Sequence, residues 1–182
     1  MWGRISTNKG GTTVFRPLDD NRVFFWGDNL RKFEKISFEQ FKKDVSDDKS
    51  LYDNIILPKR MSKNAAAYDF FAFYDYTLMP GEIKKIPTGI KSIFGQDEVL
   101  ILADRSSMGF KYNVRMCNQI GIIDSDYYNN SSNEGHIWIK IKNEGDIPYI
   151  VKKGDGIIQG MFIKYLTIDD EEVINNERTS DK

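Results

Sequence analysis

Two carboxylates, Asp124 and Asp126, stand two residues apart directly after an apolar Ile122-Ile123 pair. At that spacing they point the same way from a strand or turn, and a carboxylate partly walled off from water is a candidate general base on a water molecule. A strand running into a solvated acidic turn has the same spelling. Arg105-Ser106-Ser107-Met108-Gly109 groups a guanidinium fork, two hydroxyls and backbone N–H donors, the set a phosphate needs, although a surface loop with a solvated Arg reads no differently. Asp69, after Ala65-Ala66-Ala67-Tyr68, is either an edge carboxylate or a candidate for a cation's hydration shell. Gln159 is the one polar residue in a strand fed by the turn Lys153-Gly154-Asp155-Gly156; such a Gln usually satisfies a neighbouring backbone group.

The chain holds one His and one Cys. A His/Cys zinc site needs three or four such ligands and a disulfide framework needs paired cysteines, so both are excluded. Enzymatic chemistry, if present, falls to carboxylates and a hard cation. His136, opening a strand after Gly135, reads as an exposed loop histidine, and Cys117 as a small packed residue.

These residues need a frame, and the spacing of apolar positions predicts one. Residues 136–142 alternate, His-Ile-Trp-Ile-Lys-Ile-Lys, and stop at Asn143-Glu144-Gly145, a strand followed by a turn. Short strands of the same kind are expected at 77–79, 83–86, 98–103, 149–152 and 160–166, separated by Pro- and Gly-containing turns. Many short strands at this spacing predict an all-β sandwich or barrel. One helix is expected after Ser37, which can cap it with Gln40 three residues on; Phe38, Phe41 and Val45 share its inner face while Lys42, Lys43 and Asp44 point outward. The expected organisation is an N-terminal extension, 1–53, with short strands and that helix; a β domain, 54–168; and a polar tail, 169–182, expected to be mobile. Within the extension, Val23-Phe24-Phe25-Trp26 reads as strand or as packing against a partner.

With 182 residues the chain can bury one core without metal or disulfide staples. Its 26 basic residues against 27 acidic argue against binding nucleic acid through global charge. No apolar run approaches the length that crosses a bilayer, so a soluble, cytoplasmic protein is the expectation.

Taken in order, Ala66-Ala67-Tyr68-Asp69, Arg105-Ser106-Ser107-Met108, Gly121-Ile122-Ile123-Asp124-Ser125-Asp126-Tyr127 and Gly154-Asp155 with Gln159 resemble the first four motifs of the trimeric deoxyuridine triphosphatase (dUTPase) family. The resemblance covers about residues 57–166; Lys111-Tyr112 is similar to the branch of Gram-positive bacteria and their phages. It implies a jelly-roll β fold, a homotrimer with active sites shared between subunits, and hydrolysis of dUTP to dUMP and pyrophosphate with Mg²⁺. By the same resemblance Asp124 is the base for the attacking water. Asn118 and the backbone around Gly121, Ile122 and Ile123 read the uracil, and Tyr127 lies under the deoxyribose. Arg105, Ser106, Ser107 and Gln159 hold the triphosphate, and Asp69 touches the metal's hydration shell.

Departures from the pattern are Ala66 for Gly, Asp104 for Pro beside Arg105, Ile158 for Ala, and a longer loop over 128–134. The family's Gly-rich fifth motif, with an Arg and a Phe that cover the substrate, has no counterpart in Arg178-Thr179-Ser180-Asp181-Lys182 beyond the Arg. Either the sequence stops short of that motif or the protein lacks this lid, and the latter gives a second reading, a dUTP-binding regulatory module of the same fold with weak or no catalysis. The related dCTP deaminases need a catalytic Glu, and none lies between Asn118 and Tyr127.

Overall fold

The computed structural model describes residues 30–170 throughout and, upstream, the strand segments 2–7, 13–17 and 24–25. The chain divides into two compact units, Met1–Leu30 and Arg31–Lys182. In the first, β1 (Trp2–Thr7), β2 (Thr13–Pro17) and β3 (Phe24–Phe25) form an antiparallel sheet in that order. The side chains of the aromatic run at 23–26 lie outside the described residues, as do residues 171–182 with Arg178.

The second unit opens with β4 (Lys32–Lys35), α1 (Phe38–Asp44) and α2 (Lys49–Asp53). It continues with β5 (Tyr68–Phe71), β6 (Tyr76–Leu78), β7 (Ile83–Pro87), β8 (Ile90–Ile93) and β9 (Glu98–Ala103). After α3 (Ser106–Tyr112) come β10 (Val114–Met116), β11 (Gly121–Ile123), β12 (Trp138–Asn143), β13 (Tyr149–Val151) and β14 (Gly156–Lys164). Every pairing is antiparallel. A four-stranded sheet runs β11-β9-β14-β5 and a three-stranded one β10-β12-β7; β13-β6 and β4-β8 are paired ribbons. The all-β expectation holds, and the alternation that predicted strands has its counterpart in burial. Along β9, Glu98, Leu100 and Leu102 are buried and the residues between them are half-exposed. The core is aromatic at its centre: Phe33 meets Tyr68, Phe70 and Phe162 with ring centroids 5.4 Å apart in each case.

The expected helix forms, with Ser37 Oγ accepting from Gln40 N–H at 3.0 Å. The reciprocal half of the capping box is not supplied by Gln40, which is buried; Glu134 takes its place, accepting from Ser37 N–H at 2.9 Å. Asp44 corrects the outward assignment. Its side chain is 5% exposed and hydrogen-bonds His136. Two further short helices, α2 and α3, arise where the sequence predicted none. Among the described residues no helix is long and apolar enough to cross a membrane.

Candidate functional site

The four-stranded sheet arranges the site residues by register. Gln159 on β14 is flanked by Asp69 on β5 and Ala103 on β9, so these three lie in one row across the sheet. The chain leaves β9 at Ala103, turns through Asp104 and Arg105, and enters α3 at Ser106, with Ser107 next. Arg105 is therefore the residue before the first turn of a helix, not a member of a surface loop. Its guanidinium reaches back across β14: Nη1 donates to Gly156 O at 2.8 Å and Nη2 pairs with Asp69 Oδ2 at 3.1 Å. Gln159 Nε2 donates to Asp104 O at 2.7 Å, holding the turn that carries Arg105. Arg105, Ser106, Ser107 and Gln159 thus lie near one strand end, with Asp69 paired to Arg105 and the Gln159 amide satisfying a backbone carbonyl.

Asp104 is not directed against the cradle. Its Oδ1 accepts from Met116 N–H at 2.9 Å on β10, and the cation acting on it is Arg115. Burial pushes its carboxyl above the ordinary range, while the Met116 amide and Arg115 pull the other way.

The second group lies on the opposite edge of the sheet. Between β10 and β11 the chain turns at residues 117–120, with Gln119 N–H bonded to Met116 O at 3.1 Å and Gln119 at φ +61°. Asn118 is exposed in that turn. Gly121 pairs with Leu102, where an added Cβ would fall 3.0 Å from the Leu102 Cβ. Ile122 is 55% exposed, an apolar side chain offered to solvent, and Ile123 packs partly against the core. Asp124 follows, and its carbonyl accepts from Tyr127 N–H at 3.1 Å to close a 3₁₀ turn over Ser125–Tyr127.

Register separates the two groups within one chain. Ile123 pairs with Leu100, so Asp124 leaves β11 at the level of Val99, about four strand residues, roughly 13 Å at ~3.3 Å per residue, from Ala103 where β9 ends. Arg105 moreover points toward the β5 edge, away from β11.

His136 overturns the exposed-loop expectation: it is 0% exposed. Gly89 N–H donates to Nε2 at 3.0 Å, which leaves Nδ1 to carry the ring proton toward Asp44 Oδ2 at 2.7 Å. Burial lowers its pKa, with Asp44 opposing. The ring lies 4.9 Å from that of Trp138. Its burial depends on a carboxylate 92 residues away, a contact without local signature. The loop before it contains two buried amides, Asn130 and Asn133, which sequence reasoning did not single out.

Among the described residues no group of three or more His, Cys, Asp or Glu side chains could cage a metal ion, and Asp69 has Arg105 for its partner.

The antiparallel β domain thus carries an Arg, two hydroxyl residues and a Gln near one strand end, donor types that suit phosphate oxygens. The dUTPase family profile matches residues 53–182, most of the chain, and extends beyond the stretch that the four motifs cover. The deoxyuridine 5′-triphosphate nucleotidohydrolase of Lactococcus lactis subsp. lactis is 42% identical over 126 residues, which are 69% of this chain and 84% of that protein. The crystal structure of dUTPase from Streptococcus mutans superposes with a TM-score of 0.62 at 38% identity, covering 76% of this chain and 98% of the other. The dUTPase from Staphylococcus aureus phage phi11 shares the fold, with a TM-score of 0.59 at 21% identity over 83% of this chain and all of that one. The chain belongs to the dUTPase family.

Proposed function

We propose that this protein hydrolyses dUTP to dUMP and pyrophosphate in a site built from two copies of the chain. One copy supplies Asn118, Gly121, Ile122, Ile123, Asp124 and Tyr127; another supplies Arg105, Ser106, Ser107 and Gln159. Asp124 accepts a proton from the attacking water. The water oxygen bonds to the α-phosphorus as the bond to the pyrophosphate oxygen breaks, and the electron pair leaves with pyrophosphate. Asn118 and the β11 backbone read the uracil edge, the exposed Ile122 offers it an apolar neighbour, and Tyr127 lies against the deoxyribose. Arg105 and the two hydroxyls bind phosphate oxygens, with Gln159 fixing the turn from which Arg105 springs.

Mg²⁺ fits such a site as a companion of the substrate. A hard cation that keeps waters and takes phosphate oxygens needs no protein cage, and it supplies charge neutralisation across the triphosphate. Asp69, already paired with Arg105, is suited to a contact through water.

The observation that carries this reading is the row Asp69–Gln159–Ala103 with Arg105 paired to Asp69, which sets residues of three separated motifs side by side. Hydrolysis is favoured over a purely regulatory module by similarity to nucleotidohydrolases across 69% of the chain. The test is pyrophosphate release from dUTP, UTP and dCTP with Mg²⁺, for the native chain and Asp124→Asn. The variant should bind dUTP while kcat falls ~10²–10⁴-fold, the usual weight of a general base. Native kcat in the variant, or equal use of the three nucleotides, would overturn the assignment.

A further inference from the structure

Tyr127 is gripped from both ends by the loop that follows it. Asn130 Nδ2 donates to Tyr127 O at 2.8 Å, and Asn133 Nδ2 donates to the Tyr127 hydroxyl at 2.8 Å. The hydroxyl in turn donates to His136 O at 3.2 Å. Asn133 is 3% exposed and its orientation is forced. Gly135 N–H, which can only donate, meets Oδ1 at 3.0 Å, and Asn130 Nδ2 meets the same oxygen at 2.9 Å. The His136 carbonyl, which can only accept, faces Nδ2 at 3.3 Å. The amide therefore presents N–H to the phenol oxygen, and the phenol proton is committed to His136 O.

The loop is itself braced. Asn130 Oδ1 accepts from Ser132 N–H at 3.0 Å and from Asn133 N–H at 3.1 Å. Gly135 sits at φ +80°, and a Cβ there would fall 2.5 Å from Tyr127 O, so the chain returns against the Tyr127 backbone at a distance only glycine permits. The far end is anchored by the His136 ring between Asp44 on α1 and the Gly89 amide.

We infer that Asn133 is a positioning residue for Tyr127: by holding the hydroxyl it fixes the ring plane against which the sugar rests, and so sets discrimination between deoxyribose and ribose. This rests on the proposed contact of Tyr127 with the deoxyribose. The hydroxyl is an anchor and the ring face is the recognition surface. A ring free to swing makes room for a 2′-hydroxyl, so its loss of restraint is read as loss of selectivity.

The experiment is the ratio of kcat/KM for Mg-dUTP to that for Mg-UTP in the native protein, Tyr127→Ala, Tyr127→Phe, Asn133→Ala and the double variant Asn133→Ala/Tyr127→Phe, with each melting temperature recorded. Tyr127→Phe and Asn133→Ala should each lower the ratio by ~10-fold, and the double variant by well under the product of the two, because the Asn133–hydroxyl bond is lost in both. If Tyr127→Phe lowers the ratio and Asn133→Ala multiplies that loss, the hydroxyl touches substrate directly and the inference falls. It falls equally if Asn133→Ala folds and keeps the native ratio. Should Asn133→Ala not fold, Tyr127→Phe, which keeps the ring and loses only the hydroxyl's bonds to Asn133 and His136 O, decides: an unchanged ratio overturns the clamp. A native ratio in Tyr127→Ala would instead refute the sugar contact itself.

Discussion

Gly156→Ala should displace Arg105 without removing its charge. An ideal Cβ on Gly156 falls 2.6 Å from Arg105 Cζ, 2.7 Å from Nη1 and 2.9 Å from Nε. Ordinary contact begins near 3.4 Å, so the guanidinium must retreat by about 1 Å. What moves is the end of a flexible side chain, and the fold should accept the methyl group. Retreat breaks or stretches the 2.8 Å bond to Gly156 O and the 3.1 Å contact with Asp69. The Asp69 pair is part-exposed, and screening limits its worth. The two together should cost about 1 kcal/mol of stability, a fall in Tm of about 2–4 °C for a domain this size. Activity should suffer far more. A ~1 Å misplacement of a substrate-positioning group costs up to ~10²-fold, so kcat/KM for dUTP should drop ~10- to 100-fold. Calorimetry and pyrophosphate release measured on the same preparation separate the two effects. A folded variant within threefold of native kcat/KM would show that Arg105 does not position the substrate. A Tm lowered by about 10 °C or more would show that backbone, not the guanidinium, had to give way.

Acid should destabilise the domain through His136. Its native pKa lies below the ordinary 6.5, chiefly because it is buried, with Asp44 and Glu134 pulling it up and Lys85 pushing it down. As pH falls below 6.5 the unfolded chain gains a proton at this site that the native state refuses, so the stability present above 6.5 is lost as pH drops through the lowered native value. Tm scans from about pH 7.5 to 5 should slope downward, more steeply for the native protein than for His136→Gln; equal slopes would refute a buried neutral imidazole. Glu134 should add to acid loss at lower pH: burial raises its pKa, but the Ser37 hydroxyl and amide and Lys91 outweigh it and hold the carboxyl below 4.5. Its stabilisation of the α1 cap is present above that value and vanishes beneath it, so Glu134→Gln should lower Tm at neutral pH and level the difference in acid. Light scattering should report about three times 21.1 kDa; a stable, fully active monomer would refute the shared site.

How much of this was legible in the chain divides along local and non-local lines. The period-two pattern over 136–142 marked β12, because burial on a sheet face repeats every second residue, and the short apolar run at 98–103 between turn formers marked β9. Ser37 declared the start of α1 through a bond only three residues long. α2 has only five residues, and α3, as long as α1, lacks a side-chain cap bond at Arg105 and carries Gly109 in its middle, so neither announces itself. The site residues were named by motif, but their partners were not. Arg105 finds Asp69 across 36 positions and Gly156 across 51, while His136 finds Asp44 across 92. Such pairs exist only after the strands have chosen their register. His136 was misread for the same reason: beside Gly135, nothing local distinguishes a solvent-facing imidazole from one enclosed by α1.

β9 explains why one copy of the chain should not suffice. On one side it pairs with β11, which delivers Asp124 beyond the Leu100 level; on the other it pairs with β14, whose Gln159 lies opposite Ala103. The strand's own end launches Arg105 toward β5. The proposed base and the proposed cradle are therefore fixed to opposite sides of one strand, Asp124 at the level of Val99 and Gln159 at Ala103, roughly 13 Å apart along it. Arg105 is bound to Gly156 and Asp69, on the side of β9 away from β11. A second copy removes the difficulty when its β11 edge approaches the cradle of the first. Each copy then uses two different surfaces, a head-to-tail contact that forms a closed ring only if the rotation is an integral fraction of a turn. In such a ring every copy gives one base and one cradle, and no half-site is left over. The register thus gives the proposed shared site a reason of its own for a ring of copies, and the light-scattering mass decides whether that ring has three.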